Sequence, residues 1–68
     1  MEDKATICDV FGSCLRLTRA GHDLSYISYQ KIGDDEFAIL SYDDGTTRNI
    51  CITADSGIAI MRDILKHM

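Results

Sequence analysis

The segment from Phe37 to Ile52 constrains this chain more than any other. Two runs of strand-forming residues, Phe37 to Tyr42 and Thr47 to Ile52, flank Asp43-Asp44-Gly45-Thr46. Asp44-Gly45 is a strong signal for a two-residue type I′ hairpin turn, whose central residues both take positive φ. With those two as the loop, Asp43 pairs with Thr46, Leu40 with Asn49, Ile39 with Ile50, and Phe37 with Ile52. Paired residues point to the same side of a sheet, so Phe37, Ile39, Ile50 and Ile52 are expected to share a core face.

An earlier strand is expected over Leu24 to Ile32. A three-residue loop at Gly33-Asp34-Asp35 sets Tyr29 opposite Ile39 and Ile27 opposite Ser41. A two-residue loop at Asp34-Asp35 would turn Ser28 and Gln30 inward instead, because a one-residue slip inverts a strand. Burial favours the longer loop. The face opposite the core then displays Tyr26, Ser28, Gln30, Ala38, Leu40, Tyr42, Thr47, Asn49 and Cys51.

Helical periodicity brackets these strands. From about Asp3 to Ala20, Ile7, Val10, Phe11, Cys14 and Leu15 fall on one apolar stripe. Glu2 and Asp3 suit the helix N-terminus and Arg16 and Arg19 its C-terminus, with Gly21 as a left-handed cap. Gly12 weakens the middle or marks close packing. A second helix is expected from about Ser56 to His67, capped by Thr53 or Asp55. Its stripe is Ile58, Met61, Ile64, Leu65 and Met68, with Ile60 on the shoulder. The fold class is therefore α+β in the order α-β-β-β-α. One domain spans residues 1–68, with both helices packed on one face of a three-stranded antiparallel sheet.

In order and length this resembles the double-stranded RNA-binding domain, over most of the chain and in topology alone. The resemblance implies a lysine-rich phosphate grip opening the second helix, where this chain has Asp55-Ser56-Gly57-Ile58. It also implies a groove-reaching loop between the first two strands, where this chain has Gly33-Asp34-Asp35-Glu36. Carboxylates there oppose phosphate, on which duplex affinity largely rests. Divergent RNA binding is thus an alternative to the principal expectation, with nucleic acid disfavoured as a partner.

That expectation is a protein-interaction or regulatory module. Eleven acidic against seven basic residues give a net charge of -4, which favours basic partners and solubility. The candidate partner surface is Tyr26, Leu40, Tyr42 and Cys51 on the open face, with Asp34, Asp35 and Glu36 on its rim. Tyrosine suits interfaces because it joins broad apolar contact to a hydroxyl. A homodimer through this face is a second form of the same expectation.

No catalytic, metal or cofactor motif stands out. Cys8 and Cys14 lie about 240° apart around a helix, a poor metal clamp. Cys14 is expected in the core, and Cys51 has no evident histidine to activate it. No enzyme is expected; a small one would need a dimer groove for its site. Three cysteines without a signal-peptide pattern point to reduced thiols and a cytoplasmic protein. The apolar runs fall far short of the roughly 20 residues of a membrane span.

Overall fold

A computed structural model describes residues 3–68 and contains five elements. They are α1 (Lys4–Leu15), β1 (Leu24–Ile32), β2 (Asp35–Tyr42), β3 (Thr47–Cys51) and α2 (Ile58–Lys66). The strands form an antiparallel sheet in the order β1-β2-β3. This is the expected α-β-β-β-α meander.

Both turns differ from expectation by one residue. The first is a two-residue loop at Gly33-Asp34, with Ile32 paired to Asp35. Gly33 takes φ of 60° and Asp34 does not take a positive φ, the pattern of a type II′ turn. The second is a three-residue loop, Asp43-Asp44-Gly45, closed by Gly45 N–H to Tyr42 O (3.0 Å) and Tyr42 N–H to Thr46 O (2.9 Å). Gly45 alone has positive φ, so the turn is type I followed by a glycine bulge. Asp44 Oδ1 holds it by accepting from Thr46 N–H at 3.0 Å and from the Thr46 hydroxyl at 2.6 Å.

The two shifts cancel between β1 and β3 and invert β2. Ile27 pairs with Leu40 and Tyr29 with Ala38, while Ala38 pairs with Ile50 and Leu40 with Arg48. Ile27, Tyr29, Ile50 and Ile52 therefore stay on the helix side as expected. Ala38 and Leu40 replace Phe37 and Ile39 there, and both are fully buried. A register shift between Leu24 and Tyr26 lets Leu24 and Ile27, three positions apart, both enter the core.

Helix α1 is capped by Asp3, whose carboxylate accepts from Thr6 N–H at 2.7 Å. Glu2 lies outside the described residues. The helix stops at Leu15 rather than Ala20, where the Thr18 hydroxyl bonds Leu15 O at 2.7 Å. Gly21 does not take positive φ and is not a left-handed cap; a Cβ there would lie 2.4 Å from Leu15 O. The buried line is Cys8, Gly12 and Leu15, flanked by Ile7 and Phe11. Val10 and Cys14, expected inside, are exposed. Gly12 explains this roll, because the side lacking a side chain lies closest to the sheet.

Helix α2 begins at Ile58, after Gly57, without a side-chain cap. Thr53 and Asp55 do not serve as expected: Thr53 Oγ1 accepts from Glu36 N–H at 2.9 Å instead. Ile60 and Ile64 are fully buried, whereas Ile58 and Leu65 face outward. With Cys8, Leu15, Leu24, Ile27, Ala38, Leu40, Ile50 and Ile52 they form one core between helices and sheet. Each buried Leu or Ile there stabilises the fold by about 1.5–3 kcal/mol.

Candidate functional site

The inversion of β2 rebuilds the open face. Strand pairing sets it out in three rows: Gln30–Phe37–Cys51, Ser28–Ile39–Asn49 and Tyr26–Ser41–Thr47. Beyond the first row the hairpin end adds Ile32 and Asp35. Phe37 and Ile39 occupy the middle of the central strand and take no part in the core between the sheet and the helices. Tyr26 and Ile32 are 56% and 59% exposed. The nine residues in the rows include no Asp, Glu, Lys, Arg or His, although such charged or titratable types are common elsewhere in the chain.

The expected site residues divide accordingly. Tyr26 and Cys51 lie on the open face and are exposed. Leu40 is a core residue, and Tyr42 packs against the core from the helix side. Asp34 and Asp35 are exposed at the first hairpin. Glu36 leaves the rim altogether, because its position in β2 turns it toward the helices. Phe37, Ile39 and Ile32 are the residues that sequence reasoning missed. Glycine as the first residue of Gly33-Asp34 was the available signal for the shorter turn.

Glu36 belongs to a polar cluster between α1 and the sheet. Lys4 Nζ donates to Glu36 Oε1 at 2.7 Å and to the carbonyls of Ile52 and Thr53, each at 3.3 Å. The Tyr29 hydroxyl donates to Glu36 Oε2. Hydrogen bonds from Lys4 and Tyr29 hold the Glu36 carboxyl below its ordinary value. The same Glu36 contact, then burial and nearby negative charge, pushes the Tyr29 phenol up to about 12. A phenol this reluctant to ionise, bonded to an already ionised carboxylate, is poorly matched to acid–base work near neutrality. The cluster instead fastens the start of α1 to β2 and to the segment that follows β3. The partners of Lys4 lie 32 to 49 residues along the chain, beyond the reach of local pattern.

Above the cluster, a cleft of about 770 Å³ opens between the starts of the two helices, with Ile7, Ile58 and Met61 on its apolar walls. Among the described residues no group of three His, Cys, Asp or Glu side chains is placed to hold a metal ion. No described helix is long and apolar enough to cross a membrane. Comparison with protein-family models, curated proteins and solved structures found no match.

Proposed function

We propose that this chain is an interaction module that binds a protein partner through its open sheet face. The observation that carries this reading is the charge-free ground around Phe37 and Ile39, in a chain where 26% of residues are Asp, Glu, Lys or Arg. The centres of protein interfaces are depleted of charge and enriched in aromatic residues. Tyr26 and Phe37 supply the aromatics, and Ser28, Gln30, Asn49 and Thr47 supply neutral hydrogen-bonding groups around them. The role proposed is binding rather than catalysis. Three unpaired cysteines, two of them exposed, suit a reducing compartment and hence a cytoplasmic protein.

The test compares the native chain with Ile39→Asp in affinity capture and in light scattering on a sizing column. The variant should keep its helical circular dichroism and lose any captured partner. A partner retained equally by both chains would place binding elsewhere. A native dimer that Ile39→Asp converts to monomer would make the partner a second copy.

A further inference from the structure

Resting on the open-face reading, we propose that the partner presents an amphipathic helix, apolar along the side that meets Phe37 and Ile39 and cationic at both ends. The dimensions support one helix lying along β2. The outer strands of a three-stranded sheet stand roughly 10 Å apart, close to the width of a helix with its side chains. The eight residues of β2 run for about 27 Å, the length of roughly 18 helical residues. The opposite face of the sheet already carries two helices, and a third on the bare face would complete a layered arrangement.

Charge sets the ends. Asp34 and Asp35 lie at one end of β2 and Asp43 at the other, all three exposed; Asp44 lies on the helix side, near Tyr42 and Met68. Among the described residues none of Asp34, Asp35 and Asp43 forms an ion pair, the salt bridge found being Lys4–Glu36. Asp35 shares the open side of β2 with Phe37 and Ile39 by strand alternation. The surface is therefore neutral and apolar in the middle and negative at both ends. A second copy fits this pattern badly. If two copies met face to face about a two-fold axis, with strands parallel or antiparallel, each acidic end would fall on another acidic end. A helix with Lys or Arg in its first and last turns meets each end with opposite charge.

The probe is a synthetic 18-residue helix with leucines along one side and lysines at both ends. It is titrated into isotopically labelled protein and followed by amide chemical shifts. The control peptide replaces the lysines with glutamates. Shifts centred on Phe37 and Ile39 and reaching both turns are expected with the lysine peptide. Binding should weaken about tenfold in Asp34→Asn/Asp35→Asn/Asp43→Asn, and similarly when salt is raised to screen exposed charges. Asp44 is left intact because it holds its turn. Equal binding of both peptides at Phe37 and Ile39 would overturn the cationic ends while leaving the open face as the site. Shifts confined to the helix side would overturn both readings. A folded protein that binds neither peptide would overturn the helical partner, and capture by the native chain but not by Ile39→Asp would still support the face.

Discussion

Gly12 of α1 lies directly over Ile27 of β1. A Cβ on Gly12 would come within 3.0 Å of both Cγ1 and the backbone nitrogen of Ile27. Alanine would gain about 1 kcal/mol of helix propensity at this position. It would also place a methyl group against strand backbone that cannot rotate away, and such overpacking costs typically 1–3 kcal/mol. Gly12→Ala should therefore lower the denaturant midpoint without changing the slope of the transition. A midpoint at or above that of the native chain would show that helix and strand separate easily.

Ile39 and Leu40 are adjacent in β2 and face opposite ways. Leu40 is fully buried, so Leu40→Ala should cost about 2–5 kcal/mol and leave a marginal or unfolded domain. Ile39→Ala removes a side chain from the uncovered face and should cost less than half as much. Thermal melts of the two variants decide the orientation of β2. Equal losses would mean that Ile39 is buried as deeply as Leu40.

That pair also marks where the sequence was legible. Element types and order follow from hydrophobic period and glycine positions, and the expected helix-side placement of Ile27, Tyr29, Ile50 and Ile52 is the one observed. β2 is the exception, because Phe37-Ala38-Ile39-Leu40 is apolar at every position and alternation within it carries no register. The turns were left to decide, and each differed by one residue. Asp44 takes no positive φ, because its carboxylate braces a type I turn through Thr46. The open face is thus legible as a surface, but of the large residues expected on it only Tyr26 lies there, while Leu40 and Tyr42 turn to the helices and Phe37 and Ile39 take their place. Sequence places Glu36 on the rim because its partners Lys4 and Tyr29 are brought to it only by the fold.

The bond between Tyr29 and Glu36 predicts an alkaline step. In the folded chain the Tyr29 phenol is raised to about 12, above the value of roughly 10 for an unfolded tyrosine. Its contribution to stability is present below about 10 and is lost as pH climbs toward 12. Glu36 has the opposite sign. Its lowered carboxyl contributes stability above the ordinary carboxylate range and loses it as pH falls through the folded value. Phenolate absorbance should show a late step that Tyr29→Phe removes and Glu36→Gln moves to lower pH. A late step unchanged in both variants would sink the assignment.

Asp55 carries the converse prediction for acid. One oxygen of its carboxylate, Oδ2, is buried without a hydrogen-bond partner. The neighbouring Asp63 carboxyl, which a protonated Asp55 could bond, together with burial pushes the Asp55 carboxyl above its ordinary value, while Lys4 pulls the other way. A group raised on folding contributes its stability below its unfolded value and loses it as pH rises through the folded one. Charge on Asp55 therefore opposes the docking of α2. Asp55→Asn removes the charge and offers an amide N–H to Asp63. The variant should melt roughly 4 °C higher at neutral pH, as expected for one gained hydrogen bond in a domain of this size. In strong acid the native Asp55 is itself protonated and can donate to Asp63, so the two melting curves should converge. A variant that melts lower at neutral pH, or whose advantage persists unchanged into acid, would show that Asp55 does not oppose the fold through its charge.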